Sequence, residues 1–474
     1  MGWFAAENYS LGRLLFTEGL AALYLVAFVA AARQFRSLIG TNGILPVPDF
    51  VRDVSFAGSP SIFHLHYSDR FFAVVAWCGA GLSGLTLAGV TMRLPLAACM
   101  LVWFVLWCLY LSIVNVGQAW YAFGWESLLL EVGFLAVFLG NADTAPPVLV
   151  LVLLRWVLFR LEFGAGLIKM RGDRCWRDLT CLCYHHETQP IPGPFSRAFH
   201  HLPAPVHKVE AAGNHVTQLV VPFALFLPQP VAGIAAGIMI LTQLWLVASG
   251  NFAWLNWVTI VLAVSVLPDS VLEPVLPLAA GVGFAVAPLP FVVAVVAVTV
   301  LVVLLSYRPV RNLISASQVM NASFDKWHLV NTYGAFGTVT RIRHEIVLEG
   351  TADSELSPST GWWEYEFRGK PGNVYRRPRQ FAPYHLRLDW LMWFAALSPS
   401  YARSWFPGLV DRLLAADPQV LVLLREDPFS GRAPRFVRAR YYRYRFTTRE
   451  EHRATGAWWH RELVGDYMPP ASLD

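Results

Sequence analysis

The chain has 474 residues, is 55% hydrophobic but only 15% charged, and carries a formal net charge of +5. Such a length holds more than one domain, and so small and mixed a charge leaves nucleic-acid binding without support. Residues 1–320 contain 16 Lys/Arg and 15 Asp/Glu, whereas 321–474 contain 21 and 17 in half the length. The mean hydropathy of +0.45 therefore comes from the first part. That part reads as a polytopic α-helical membrane bundle embedded in lipid, and 321–474 as a water-facing domain.

The first apolar stretch, Leu11 to Ala32, is too long for a signal-peptide core and is read as a retained membrane helix. Further apolar segments lie near 71–90, 95–114, 122–140, 147–170, 212–228, 231–249, 252–268 and 276–306, giving about nine spans. The last is longer than one crossing needs, and Pro288 and Pro290 are placed to break it. Two polar loops, 33–70 and 171–211, are large enough to fold. With nine spans, both loops and the terminal domain emerge on one face. Their Lys/Arg content argues for the cytoplasm, but long domains translocate regardless of charge, so charge leaves the orientation undecided.

Beyond residue 320 the period changes. Segments 341–350, 361–369 and 435–446 alternate large apolar with charged residues, the pattern of half-buried antiparallel strands. Segments 385–398 and 405–417 read as short amphipathic helices. The expectation is a β-rich, sandwich-like domain in which Trp362, Trp363, Trp458 and Trp459 present an exposed apolar patch.

Ionisable groups in an apolar segment are costly, and are by default functional or internally paired. Arg155, Glu162 and Lys169 follow at seven-residue intervals, two helical turns, and so share one face. Arg160 lies on the same segment, Glu126 and Glu131 belong to a neighbouring one, and Gln118 is a further polar candidate just before it. Two readings stand: an ion-pair network that locks helices together, or a polar cavity in which a buried Lys169 acts as a base or anion ligand.

The polar burst that follows is the candidate functional loop: Arg171, Asp173, Cys175, Trp176, Thr180, Cys181, Tyr184, His185, His186, Glu187, Thr188 and Gln189, with His201, Asn214 and His215 beyond. Adjacent His185 and His186 cannot both face one ion from a regular helix, and Cys181-x-Cys183 is too tight for a zinc knuckle. No metal is assigned, and the histidines are read as hydrogen-bonding groups. Cys175 and Cys181 enclose five residues, a spacing that permits a disulfide in an oxidising compartment and leaves Cys183 over. Cys78, Cys99 and Cys108 read as inert core thiols. No phosphate-binding loop or nucleophile elbow is present, and no cofactor is called for.

The blocks 33–47, 112–139, 155–194, 200–223, 250–257, 331–351, 382–394 and 442–470 resemble the lipase maturation factor family, most specifically RWVLFRLEFGAGLIKMRGDRCWRDLTCLCYHHETQPIPGP at 155–194. At Cys183, His186, Thr217 and Gln218 the chain departs from the residues the resemblance leads one to expect. The resemblance implies a multi-span membrane protein that assists folding and assembly of secreted proteins such as lipases, without turnover chemistry. It implies a terminal domain on the non-cytoplasmic side, in the lumen of the endoplasmic reticulum in eukaryotic relatives. The Arg-, Ala- and Val-rich composition suggests a prokaryotic chain, hence a bacterial inner membrane. AGLIKMRGDRCW is also faintly similar to the vitamin K-dependent carboxylase superfamily, which implies an alternative: an enzyme using Lys169 as catalytic base.

Overall fold

The computed structural model describes residues 2–276, 278 and 280–473. The amino-terminal part is helical: α1 (Ser10–Leu38), α2 (Asp69–Leu87), α3 (Leu96–Val116), α4 (Gly124–Ala136), α5 (Val148–Arg171), α6 (Leu182–Thr188), α7 (Ala204–Leu219), α8 (Val231–Ser249), α9 (Leu255–Val264) and α10 (Leu289–Leu305). Prolines punctuate it. Helices α3, α5, α7, α8 and α10 each start directly after a proline, at 95, 147, 203, 230 and 288. At a helix start the missing N–H has no intrahelical partner to lose, and the fixed φ suits the first turn.

Five helical segments are long and apolar enough to cross a membrane: Glu7–Leu38, Asp69–Leu87, Leu96–Val116, Val231–Ser249 and Leu289–Ile314. The other four expected spans take other forms. Helix α4 has 13 residues, about 20 Å of rise against the ~30 Å of a hydrocarbon core. All of them but Phe134 are buried, so its apolar residues serve the protein core. Helix α9 is shorter still, at 10 residues. Helix α7 is amphipathic and starts within the expected loop. Helix α5 has the length, at 24 residues, but carries charges that turn inward. The expected span at 276–306 begins as helix only at Leu289; residues 277 and 279 lie outside the described residues.

The terminal part is one antiparallel sheet in the order β4-β3-β5-β6, formed by β3 (Arg343–Thr351), β4 (Trp363–Glu364), β5 (Phe436–Phe446) and β6 (Trp459–Ala471). A two-residue ladder, β1 (Ile191–Pro192) with β2 (Gly250–Asn251), lies within the helical part. The expected sandwich is not formed among the described residues. Segment 361–369 contributes only two strand residues, and the layer against the sheet is helical, with α11 (Arg387–Leu397) packing on β3 and α12 (Phe406–Leu414) on β5. Strand β3 is central and almost wholly buried, whereas β6 is a largely exposed edge. Its Pro469 and Pro470 are tolerated there because an edge strand need not donate on both sides.

Close backbone approach joins the two parts at Gly164 of α5. A Cβ there would overlap the carbonyl oxygen of Tyr333, which belongs to main chain and cannot swing aside. Gly164→Ala should cost about 1–3 kcal/mol of stability, read as a lower unfolding midpoint of the detergent-solubilised chain. Gly84→Ala, where a Cβ meets open space, should leave the midpoint in place. Equal midpoints for the two variants would contradict the packing described.

Candidate functional site

Glu126 and Glu131 sit five residues apart on α4 and engage two different nodes, both closed by residues from beyond position 320. At the first, a Glu126 carboxylate oxygen accepts from the Arg387 guanidinium at 2.7 Å, and the other accepts from the Tyr110 hydroxyl. Arg387 also donates to the Trp120 carbonyl at 2.7 Å and lies 3.5 Å over the Tyr121 ring. At the second, Glu131 pairs with Arg160 of α5. It also accepts from the Asn331 backbone at 3.0 Å, the Asn331 amide at 2.9 Å and the Tyr333 hydroxyl at 2.6 Å. Arg160 returns to the Asn331 carbonyl at 2.5 Å. Every one of these charged side chains is buried.

Glu162 and Lys169 form a third node within the helices. Lys169 Nζ donates to Gln218 Oε1 at 2.7 Å, while the Gln218 amide donates to Glu162 at 3.2 Å. Gln243 of α8 donates to the other Glu162 oxygen at 2.7 Å and accepts from Asn256 at 2.7 Å. Glu126, Glu131, Arg160, Glu162 and Lys169 are thus divided among separate partners. Lys169 turns neither to lipid nor to bulk water, and its ammonium also lies 5.2 Å over the Trp176 ring. Arg155 stands apart, donating to the Leu225 carbonyl and the Tyr9 hydroxyl at 3.2 Å each. Gln118 donates to the Leu45 carbonyl at 2.9 Å.

The 171–211 loop is held between the helices and the terminal sheet. Arg171 donates to Gln318 at 2.8 Å. Asp173 receives both guanidinium nitrogens of Arg341 at 2.8 and 2.9 Å, and Arg341 also covers the Tyr184 ring. That fork holds the Asp173 carboxyl at about 2, well below its usual range. Cys175 and Cys181 are joined, their Cα atoms 4.8 Å apart, with the Thr180 hydroxyl 3.5 Å from the Cys175 carbonyl. Trp176 donates its indole N–H to the Phe336 carbonyl at 2.7 Å, and its own carbonyl lies 2.9 Å from His215 Nε2. Asn214 donates to Gln218 at 3.3 Å.

Further along, buried Arg343 of β3 donates to the carbonyls of Glu187, Gln189 and Pro190. The Glu187 carboxylate accepts from the Phe446 backbone at 2.7 Å, and the Thr188 carbonyl from Trp393 at 2.9 Å. Gln189 ties the loop to the Ser249 carbonyl at 2.8 Å, and His201 Nε2 lies 2.9 Å from the Thr447 carbonyl. His185 packs edge-on against Phe336 and parallel to Phe252. Buried His186 meets His207 and Glu210 of α7. The expected tryptophan patch is smaller than foreseen: Trp459 is buried against Phe446 and Trp362 lies under Arg438, leaving only Trp363 of the four fully exposed.

The lipase maturation factor transmembrane domain matches residues 11–274, and the lipase maturation factor C-terminal domain matches residues 329–469. The chain belongs to the lipase maturation factor family. Lipase maturation factor 1 of Bos taurus is 41% identical, with 98% of this chain and 90% of the relative covered. The Homo sapiens protein is 41% identical over 98% and 89%. Lipase maturation factor 2 of Gallus gallus is 30% identical over 97% and 81%. No solved structure matches. The chain is accordingly an integral membrane protein, and its buried charges join its two family regions: Glu126, Glu131 and Arg160 lie in the first, Asn331, Tyr333, Arg343 and Arg387 in the second.

Those second-region partners are the residues that sequence reasoning missed in this lipase maturation factor homologue. A basic residue inside a largely apolar block, as in HLRLDWLMWF, is the available signal. A pH test reaches the first node. His385 is fully buried in an aromatic box of Phe123, Trp125, Trp254 and Trp390, with Nδ1 3.7 Å from Glu126. Burial, then repulsion from Arg387, lowers it to about 4, with Glu126 pulling the other way. An unfolded histidine titrates near ~6.5, so between these values the unfolded chain binds more protons. Stability complete above about pH 6.5 should therefore fall as pH drops toward 4, by about 2 kcal/mol at pH 5 from this group. His385→Phe, which keeps a ring in the box, should flatten that part of the stability–pH curve; an unchanged slope would count against the assignment.

Proposed function

We propose that this chain is a maturation factor: a membrane-embedded, chaperone-like protein that assists folding and assembly of secreted proteins, with lipase-class hydrolases as its clients. The observation that carries this is the 41% identity to lipase maturation factor 1 across 98% of the chain. The use made of the polar residues supports a binding role. Glu126, Glu131, Arg160 and Lys169 are each taken up by protein partners, which makes them a frame for a surface. The loop at 171–211 and the terminal sheet are that surface. Client contact falls to the sheet edges, where Trp363 on β4 and Leu463 and Val464 on β6 are exposed; an open edge strand is a template for extended chain.

The same reading sets the topology. Five crossings place the segments after the first, third and fifth on one face, which brings loop 33–70, loop 171–211 and the terminal sheet together as their contacts require. The Cys175–Cys181 pair favours an oxidising compartment for that face. In a bacterium this is the periplasmic side of the inner membrane, and in eukaryotic relatives the lumen of the endoplasmic reticulum.

Co-expression of a panel of secreted lipases with the full-length chain should raise their secreted activity several-fold over cells lacking it. Cells carrying Gly164→Ala should fall between the two. Equal client activity with and without the chain would overturn the proposal.

A further inference from the structure

Between α6 and α7 three donors converge that no part of the maturation role uses. His207 and Glu210 are three residues apart on α7 and so present side chains on one face; α6 brings His186 across to them. His186 Nε2 and His207 Nδ1 lie 3.5 and 3.6 Å from the same Glu210 oxygen, Oε2. One donor atom from each residue falls within 4.8 Å of the other two. Both imidazoles are buried, His186 at 1% and His207 at 2% exposure.

What sets the cluster apart is its unmet hydrogen bonding. Both ring nitrogens of His186, Nδ1 of His207 and Oε2 of Glu210 have no hydrogen-bond partner among the described residues. His207 Nε2 lies 3.4 Å from the His200 carbonyl, so Nδ1 is the nitrogen that faces the Glu210 carboxylate. Buried polar atoms are normally satisfied. A cation at this point satisfies all three donors. The spacing suits one: bonds of about 2.0–2.1 Å in tetrahedral geometry put neighbouring ligand atoms ~3.3 Å apart. The carboxylate is also braced from behind, since Glu210 Oε1 accepts from the Trp245 indole at 2.6 Å, leaving Oε2 directed at the imidazoles. Partners of this kind fix ligand orientation in metal sites. The other close group, Asp173 with Cys175 and Cys181, has its two sulfurs joined to each other.

We propose that His186, His207 and Glu210 bind one divalent transition-metal ion of the zinc class. Two imidazoles and one carboxylate suit zinc better than the oxygen-seeking magnesium or calcium. Three protein ligands leave a fourth position for water. The ion ties α6, and with it the Cys175–Cys181 segment, to α7 and through Trp245 to α8.

The test uses the full-length chain in detergent, stripped with a chelator and titrated with Zn²⁺ against a chromophoric competitor, with Co²⁺ as spectroscopic probe. The wild-type chain should take up about one equivalent, show tetrahedral-type Co²⁺ absorption and unfold at higher temperature when loaded. Glu210→Gln should weaken binding by about 100-fold or more, and Trp245→Phe, which touches no ligand atom, by about 10–100-fold. His200→Gln, beside the cluster but outside it, should bind as wild type does. Failure of the wild-type chain to take up either ion at micromolar concentration would overturn the proposal, as would equal affinity for all four proteins. Should Glu210→Gln fail to fold, an affinity unchanged in Trp245→Phe would overturn it alone.

Discussion

The structure depends on the cost of a buried charge that has no partner. Glu126 and Glu131 lie on a 13-residue helix that is almost wholly buried, where an isolated carboxylate is destabilising by several kcal/mol. The helices alone answer this in part, through Arg160 and Tyr110. The remainder comes from the terminal region, through Arg387, Asn331 and Tyr333. The helical part is therefore complete only when the terminal part is seated, and the terminal part is positioned by charge geometry as well as by apolar contact. Breaking such a pair from one side is far costlier than never having built it, which gives the junction its specificity.

The same logic extends to the loop. Arg343 turns from the central strand to gather three loop carbonyls while pairing with Glu345, which Lys370 also holds at 2.9 Å. One guanidinium thus fixes the middle of the loop, and the Asp173–Arg341 fork fixes its entry. Between them the Cys175–Cys181 pair and Trp176 form a small apolar core of their own with Leu182, Ala211 and Val339. A polar loop of this size becomes a shaped surface because its entry and its middle are tied to two arginines at the start of the terminal sheet.

Much of this was legible in the sequence. Hydrophobic runs located α1, α2, α3, α8 and α10, because those segments are long and apolar enough for composition alone to define them. Five helical segments are long and apolar enough to cross, against the nine expected: α4 and α9 are hydrophobic but shorter than a crossing needs, and protein buries them. Alternation located β3 and β5, but missed β6, whose Val464-Gly465-Asp466 and Pro469-Pro470 break the period. The seven-residue spacing of Glu162 and Lys169 did place both beside Gln218, yet the spacing carries no information about Arg387, 261 positions away from Glu126. Local period cannot encode such a pair. The histidine cluster is hidden for a related reason: adjacent His185 and His186 draw attention within the loop, whereas the pair that converges on His186, His207-x-x-Glu210, lies at the loop's edge.

The central claim is that Glu126 and Arg387 are energetically coupled across the junction. A double-mutant cycle on the full-length chain in detergent, with Glu126→Gln, Arg387→Met and the pair, measures this directly from unfolding free energies. Arg387→Met alone should cost about 3–5 kcal/mol, because it strands a buried carboxylate. The double variant should recover much of that, for a coupling of about 2–3 kcal/mol. Additive losses, with no coupling between the two sites, would contradict the account.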